Sequence, residues 1–246
     1  MGARDSYPAG TFCWVDLVTP DVHAAKRFYG ELLGWDAPDG ERYTHWTLDG
    51  RDVAGVYSLP GVEARWTSYV AVEDAAAAAA GAAAAGGSVV EPAAAVSGGR
   101  GTRAVIADPL GTPVALWQAG ESPGAGLVND VGCWCSNQLQ APDPEPAVAF
   151  YETLFGWDVE QQTSEPPYWE IRHRGRDGGG MLGGQADPPA WVVYFHVADV
   201  DAFAGDVEER GGAIHFPPVT VGIGRLAVCA DPQGAVFGIF AGATDP

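Results

Sequence analysis

The chain has 246 residues, of which 47% are hydrophobic and 18% charged, and its formal net charge is −19. That is enough apolar material for one large core or two of ordinary size. Binding to phosphate backbones or anionic membranes requires clustered cationic residues, whereas this chain has 13 lysines and arginines against 32 acidic residues. Composition therefore argues against nucleic acid and membranes as partners.

The apolar segments are short. The longest, Ala75–Ala85, consists of alanine and one glycine and falls below the about 20 residues that a membrane-spanning helix needs. The first ten residues lack the apolar stretch of a signal peptide. Lys26 is the sole lysine, a bias typical of GC-rich actinobacteria. We expect a cytoplasmic bacterial protein whose four cysteines remain free thiols.

The first quarter of the chain predicts a strand, a helix and a hairpin. A strand pattern at Thr11–Thr19 leads to Asp21, a typical helix N-cap, and the amphipathic helix that follows should end at Gly34. Two strands follow, joined by Asp49-Gly50, a strong hairpin signal.

The second quarter predicts the same pattern again. The strand RWTSYVAVED leads into the alanine helix, which should end at Gly86-Gly87. A closing hairpin over Arg103–Ala107 and Pro113–Gln118 turns at DPLGT. The first half of the chain is thus predicted to be βαβββ followed by βαβββ.

The second half of the chain repeats the first. FYGELLGWD at Phe28 returns as FYETLFGWD at Phe150, and ADPLGTPVALW at Ala107 returns as ADPQGAVFGIF at Ala230. Such a tandem repeat predicts the same supersecondary unit twice. We predict one domain over residues 1–119, a glycine-rich linker over 120–128 and a second domain over 129–246.

A doubled βαβββ unit with a helix ending FYxxLxGWD, strands such as YVAVED and YFHVAD, and a closing DPxG hairpin resembles the vicinal oxygen chelate superfamily. This superfamily includes glyoxalase I, the bleomycin-resistance proteins and the extradiol dioxygenases, and the resemblance extends from about Thr11 to Gly242. It is closest to the two-domain actinobacterial glyoxalase-like proteins. The resemblance implies an α+β fold of four modules, each pair forming a half-open barrel around a cavity. It does not imply one reaction, because the fold hosts many.

Metal-dependent members of this superfamily hold a divalent cation with histidines and glutamates, which leave positions for substrate oxygens. The aligned positions in this chain carry no such ligands. They are Trp14, Ser136, Thr67, Val192, Ala115 and Gly238, and the fourth-strand position around Val56 and Met181 also lacks a glutamate. We predict that the inherited metal site is absent, although a metal bound elsewhere stays an alternative.

Strand parity predicts which side chains face the two cavities. We expect ligand contacts from aromatic and polar side chains on the first, fifth and closing strands of each half: Trp14, Thr67, Tyr69, Trp117, Ser136, Gln138, Tyr194 and Phe240. Aromatic walls with few polar groups are typical of pockets for flat organic ligands. The alternative is that Tyr69 and Tyr194 only fill the barrel core.

Two residues could move protons. Asp16 is a carboxylate between apolar strand neighbours, and desolvation would raise its pKa towards that of a general base. Its counterpart in the second half is Gln138, so the two cavities differ. His196 stands where the first half has Ala71 and could be an acid, a base, a simple donor or a structural residue.

Two functions remain open. The first is metal-independent binding of a flat aromatic or polyketide-like metabolite, for sequestration or pathway support. The second is a metal-independent cyclase, isomerase or lyase of secondary metabolism that uses Asp16 or His196 as the acid/base group. A metal-dependent glyoxalase or dioxygenase is less consistent with the residues. No phosphate loop or dinucleotide fingerprint is present, so no cofactor is predicted, and either a monomer or a homodimer is expected.

Overall fold

A computed structural model describes residues 2–38, 43–59 and 61–244. The elements of the first half are β1 Phe12–Val18, α1 Val22–Leu33, β2 Tyr43–Leu48, β3 Arg51–Tyr57, β4 Arg65–Ala71, α2 Ala75–Ala84, β5 Ser88–Val96, β6 Gly101–Ala107 and β7 Pro113–Ala119. Those of the second half are β8 Trp134–Gln140, α3 Glu145–Phe155, β9 Asp158–Ser164, β10 Pro167–His173, β11 Arg176–Leu182, β12 Ala190–His196, α4 Val200–Glu209, β13 Ala213–Val221, β14 Gly224–Ala230 and β15 Val236–Gly242. No helix among these residues is long and apolar enough to cross a membrane.

Each half forms one curled sheet. The strand orders are β2-β3-β1-β4-β7-β6-β5 and β13-β14-β15-β12-β8-β11-β10-β9. Within a module the first strand pairs in parallel with the last, as β1 with β3 and β4 with β7, and the two modules join where β1 pairs antiparallel with β4. β8 and β12 join the modules of the second half in the same way. The predicted α+β fold of paired modules is confirmed.

The two halves differ by one strand. β9 pairs with β10 over its whole length in the second half, whereas the equivalent segment of the first half makes a single bridge, between Asp36 and Thr47. Residues 39–42 of that segment lie outside the described residues. The first sheet accordingly has seven strands and the second has eight.

Local signals act as predicted at both ends of α1. The Asp21 side chain accepts a hydrogen bond from the backbone N–H of Ala24 at 2.9 Å, which satisfies one of the helix's unpaired donors. Gly34 ends the helix at φ 74°, a left-handed conformation that glycine adopts without steric cost. Asp49 and Gly50 both have positive φ, 51° and 73°, as a two-residue hairpin turn requires.

The repeated motifs join the two halves to each other. The Tyr29 hydroxyl of the first FY motif donates to Asp231 of the second DPxG turn at 3.2 Å and accepts from Trp66 Nε1 at 3.0 Å. The second FY motif makes the reciprocal set, in which Tyr151 donates to Asp108 at 3.0 Å and accepts from Trp191 at 2.9 Å.

The tryptophans of the two GWD motifs extend this junction. Trp35 Nε1 donates to the Gly132 carbonyl at 2.7 Å, and Trp157 Nε1 donates to the Gly10 carbonyl at 2.6 Å. Phe195 packs 5.1 Å from Trp66 between ring centroids, so the apolar faces of β4 and β12 share one core. The repeated motifs therefore lie where the two halves contact each other. The opposite, concave faces of the two sheets are where their sequences differ.

Candidate functional site

Asp16 lies at the centre of the concave face of the first sheet. β1 is buried at every position, and Asp16 itself has no exposed surface. The Tyr69 hydroxyl donates to Asp16 Oδ2 at 2.5 Å and the Tyr43 hydroxyl donates to the same oxygen at 3.1 Å. The other oxygen, Oδ1, is buried and has no hydrogen-bond partner within the described part of the chain.

Tyr43 reaches Asp16 because a glycine lies between their strands. Gly55 pairs with both Asp16 of β1 and His45 of β2, and a Cβ at Gly55 would lie 2.1 Å from the Tyr43 hydroxyl oxygen. The tyrosine therefore crosses β3 where no side chain stands. Trp14 Nε1 donates to the Tyr43 hydroxyl at 2.8 Å, which orients that hydroxyl's own proton towards Asp16.

Arg103 of β6 extends the network to the surface. Its Nε donates to the Tyr69 hydroxyl at 2.9 Å, and its guanidinium carbon lies 5.6 Å from the Tyr69 ring centroid. Its Nη1 forms a salt bridge at 2.5 Å with Glu91 of β5, whose side chain is more than half exposed. A continuous chain of contacts therefore runs from the buried carboxylate to solvent.

Three members of this network, Arg103, Tyr43 and Glu91, are not among the site residues predicted from the sequence. For Arg103 a signal existed, because the position 123 residues later is the apolar Leu226. For Tyr43 the signal was the glycine on the neighbouring strand, a place where an aromatic ring commonly covers the backbone. Neither could be recognised without knowing which strands pair.

Burial raises the pKa of Asp16 to about 6, although the hydrogen bond from Tyr69 and the positive charge of Arg103 oppose that rise. Burial and the nearby Asp16 charge raise the pKa of Tyr43 and Tyr69, so both phenols remain donors. Burial alone would lower the pKa of Arg103, but Tyr69 and Asp16 outweigh it and raise that pKa, so the guanidinium stays charged. At neutral pH the site thus contains a carboxylate held by two neutral phenols and one cation.

A cleft opens beside this network. It has a volume of about 270 Å³ and is lined by β4, β5, β6 and the turn before β7, including Arg65, Trp66, Thr67, Glu91 and Arg103. Thr67 is the residue paired with Asp16 across the β1–β4 ladder. Ligand pockets typically measure about 300–1,000 Å³, so this cleft is slightly smaller than usual and has room for a small molecule or for part of a larger one.

Other predicted residues of the first half lie near the same face. Trp117 is 6.5 Å from Tyr69 between ring centroids, and its Nε1 donates to the Ser122 carbonyl at 2.9 Å. At the rim, the His45 Nδ1 proton is donated to Asp52 at 2.8 Å, and this hydrogen bond is the main reason that the pKa of Asp52 is lowered. Trp117 therefore borders the Asp16 network, and a histidine that the sequence analysis did not single out lies beside Tyr43.

The second sheet has a neutral amide, Gln138, at the position of Asp16. Tyr194 donates to Gln138 Oε1 at 3.1 Å, and Gln140 Nε2 donates to the same oxygen at 2.9 Å. Ser136 pairs with Tyr194 across the β8–β12 ladder. Phe240 packs beside them in a small apolar cluster whose buried members are Val192, Tyr194, Val228 and Phe240. The predicted residues of this half come together around two amides rather than around a charge.

His196 is separate from Asp16 in the structure. It lies at the end of β12, and its Nδ1 contacts the Asn129 carbonyl at 2.8 Å, which assigns the proton to Nδ1. Its ring is 6.4 Å from Phe240 between centroids. The two residues predicted as acid/base candidates therefore belong to different sheets, and only Asp16 is joined to a network of ionisable side chains.

The superfamily's metal-ligand positions do not fit a metal here. Trp14 offers only an N–H donor, which Tyr43 already accepts. Gly238 lies beneath the Tyr194 ring, 2.2 Å from where its Cβ would stand, so the tyrosine occupies the space of a glutamate. Within the described residues no cluster of three histidine, cysteine or acidic side chains could hold a metal ion.

The metal-ligand position on the fourth strand of the superfamily corresponds to the residues just before Val56 and Met181. Val56 and Met181 pair with Leu17 and Leu139 and lie in the core on the opposite face of the sheet. The concave-face residues there are Gly55 and Gly180 instead, each covered by a tyrosine ring, Tyr43 or Tyr168. The positions that face the cavity are therefore Gly55 and Gly180, and glycine has no side chain that could bind a metal.

Comparison with known families agrees with this fold. The family model described as Glyoxalase/Bleomycin resistance protein/Dioxygenase superfamily matches residues 134–239, and the model described as Glyoxalase-like domain matches residues 13–117. The chain belongs to this superfamily, one module pair per match.

Full-length relatives are known. The chain is 36% identical, over 97% of both chains, to CFP32 of Mycobacterium tuberculosis, whose name assigns it provisionally to the glyoxylases. It is 34% identical to the anthracycline biosynthesis protein DauV of Streptomyces sp. strain C5, over 95% of this chain and 94% of that protein.

Solved structures share the fold at low sequence identity. The Mn(II)-bound glyoxalase from Novosphingobium aromaticivorans superimposes with a TM-score of 0.70 at 18% identity, covering 95% of this chain and 82% of the other. A catechol 2,3-dioxygenase superimposes with a TM-score of 0.67 at 15% identity, covering 97% and 90%. At such identities the likeness concerns architecture and not chemistry.

Proposed function

We propose that the protein is a metal-independent small-molecule-binding protein of secondary metabolism, which holds a flat aromatic, polyketide-like metabolite on the concave face of its first half. The ligand is held for sequestration or for delivery within a pathway. The protein acts in the cytoplasm, as a monomer or homodimer, and uses no cofactor.

The observation that carries this proposal is the Asp16 network beside the cleft. Hydrogen bonds join Trp14, Tyr43 and Tyr69 to Asp16, and the adjoining cleft is lined by Trp66, Thr67 and Arg103 among others. Aromatic side chains with a few convergent polar groups are the usual composition of a site for a flat organic ligand. The side chains at the superfamily's metal positions are not ligands, so recognition has to use these aromatic and polar groups. Relatives named for anthracycline biosynthesis support an aromatic polyketide as the ligand class.

Direct titration tests the proposal. Binding of 1,8-dihydroxyanthraquinone to the intact protein should be saturable and should quench tryptophan fluorescence, because Trp14 and Trp117 border the site. Metal chelators should leave the affinity unchanged. The matched variants Tyr69→Phe and Tyr194→Phe assign the site, since only the first should weaken binding. Absence of saturable binding by tricyclic and tetracyclic aromatics would contradict the proposal.

A second function is favoured by one specific observation. Asp16 combines a pKa of about 6 with an oxygen, Oδ1, that receives no well-formed hydrogen bond within the described residues, and these are the properties of a general base near neutral pH. In that case the protein is a metal-independent cyclase, isomerase or lyase. Asp16 would take a proton from the carbon next to a ligand carbonyl, giving an enolate, and would later return a proton to the product.

Deuterium exchange distinguishes a catalyst from a binder without knowledge of the natural substrate. With α-tetralone in D₂O, a general base accelerates exchange of the hydrogens next to the carbonyl, which NMR follows directly. Asp16→Asn should abolish the acceleration while His196→Ala retains it. If wild-type protein exchanges no faster than buffer, acid/base catalysis on such ketones is excluded and the binding function is unaffected.

A further inference from the structure

The two carboxylate oxygens of Asp16 differ in the hydrogen bonds that they accept. Tyr43 and Tyr69 both donate to Oδ2, whereas Oδ1 receives no well-formed hydrogen bond from the residues that the structure describes. The Thr67 hydroxyl is nevertheless close enough to lower the pKa of Asp16. A buried carboxylate oxygen without a donor is costly, and a fold that placed two phenols on one oxygen could have divided them between both. The arrangement leaves one strong acceptor available inside an otherwise satisfied network.

The cleft lies beside Asp16 on the side of β4, and Asp16 is buried behind its lining residues. Thr67, which lines the cleft, is the direct cross-strand partner of Asp16, and Arg103, which also lines it, is bonded to Tyr69. A molecule in the cleft would therefore contact Thr67 and Arg103, the immediate neighbours of Asp16 and Tyr69. Arg103 keeps a positive charge beside the site, and its Nε and Nη1 donate to Tyr69 and Glu91.

We infer that the first-half site selects ligands that carry a neutral aromatic or enolic hydroxyl, which donates to Oδ1 of Asp16, and that it discriminates against the O-alkylated form of the same ring. This inference rests on the proposed function and specifies its ligand class. An ether has no proton to give, so its binding would leave Oδ1 buried and unpaired, the situation in which polar sites discriminate most strongly.

The second half lacks this selectivity. Gln138, the counterpart of Asp16, already accepts from Tyr194 and Gln140 and carries no charge. Leu226 replaces Arg103, so no cation supports an anion there. A hydroxyl and an ether should be bound about equally on that face, which makes Gln138 the matched control position.

The test compares 2-anthrol with 2-methoxyanthracene on the intact protein at pH 7.5. Wild-type protein should prefer 2-anthrol by at least about tenfold in Kd, the size of one hydrogen bond to a charged acceptor. Because excited 2-anthrol is a strong acid, a hydroxyl on the carboxylate should also show emission of the anthrolate form, a signal that hydrophobic contact alone does not give.

Asp16→Asn should abolish both the preference and the anthrolate emission. The amide oxygen takes the two tyrosine donors, and its NH₂ group then faces the ligand and serves a hydroxyl or an ether oxygen alike. Gln138→Leu should leave both readouts unchanged. A thermal unfolding curve confirms that each variant is folded.

The outcomes separate the inference from the proposed function. Saturable binding with equal affinity for the two probes, or a preference that survives Asp16→Asn, overturns the selectivity and leaves the binding function intact. Failure of both probes to bind, together with failure of the anthraquinone titration, removes the proposed function and the inference with it.

Discussion

The concave faces of the two halves share one framework but differ in charge. Tyr69 of the first half and Tyr194 of the second occupy equivalent places. Tyr43 and Tyr168 are also equivalent, and they lie over Gly55 and Gly180. Around these tyrosines the first half has a buried carboxylate with a supporting cation and its salt-bridge partner, Asp16, Arg103 and Glu91. The second half has Gln138, Leu226 and Phe216 at the corresponding positions.

This difference indicates where function lies. The interface network of Tyr29, Asp231, Tyr151 and Asp108 is the same in both halves, because both must bind each other. A buried charge costs stability, and only the first half retains one at the centre of its concave face. The second copy folds without a buried charge at this position, so folding does not require the destabilising carboxylate of the first copy. A role in ligand binding explains it better.

The largest expected effect on stability comes from replacing Asp16 and Gln138, the residues at the centres of the two concave faces. Asp16 has a raised pKa in the folded protein, so ionisation costs folding free energy above about pH 6 and costs nothing below about pH 4. Asp16→Asn should therefore stabilise the protein at pH 8, by on the order of 2–3 kcal/mol, and leave it unchanged near pH 4. Urea unfolding at the two pH values measures this.

The mirror variant Gln138→Glu should do the opposite, lowering stability at pH 8 more than at pH 5, because no arginine supports the new charge. If Asp16→Asn destabilises the protein at pH 8, the carboxylate is a structural anchor and the difference between the halves has no functional meaning.

The next largest effect on stability is expected at the interface between the two halves, which has the same hydrogen bonds on both sides. Tyr29→Phe and Tyr151→Phe each remove the tyrosine donor to one aspartate oxygen, Oδ2, and the acceptor of a tryptophan N–H, so each should cost about 2 kcal/mol. The two losses should agree within about 0.5 kcal/mol, the precision to which separate sites usually add. A clear inequality in denaturant unfolding would show that the interface is not equivalent from its two sides.

A smaller effect follows from removing the cation. Arg103→Leu gives the first half the residue that the second half has, and the pKa of Asp16 should rise because the positive charge of Arg103 holds it down. The loss of stability should be about 1 kcal/mol at pH 8 and less at pH 5. Arg65→Leu, on the same cleft, is the control and should show no such pH dependence.

The smallest effect is expected at His196. His196→Ala removes a hydrogen bond to the Asn129 carbonyl and should cost about 1 kcal/mol or less, with no change in anthraquinone affinity. Calorimetry of the variant measures both quantities. A loss of affinity there would move the binding site to the second half.

The fold could be predicted because its signals are local and occur twice. Asp21, Gly34 and Asp49-Gly50 fix their turns through backbone preferences that neighbouring residues do not change. Strand parity also placed Trp14, Asp16 and Tyr69 correctly on one face. The fourth-strand position could be given only as around Val56 and Met181, because the alignment of β3 against β1 depends on pairing between strands that are distant in sequence.

The sequence by itself determined the duplicated modules, the absence of ligand side chains at the metal positions, and the asymmetry between Asp16 and Gln138. Only the tertiary structure decided that the repeated motifs bind one half to the other and that Arg103, Tyr43 and Glu91 belong to the Asp16 network. It also separated His196 from that network. The physical reason is that charge interactions and hydrogen bonds act across neighbouring strands, so their partners are set by strand order, which sequence spacing does not encode.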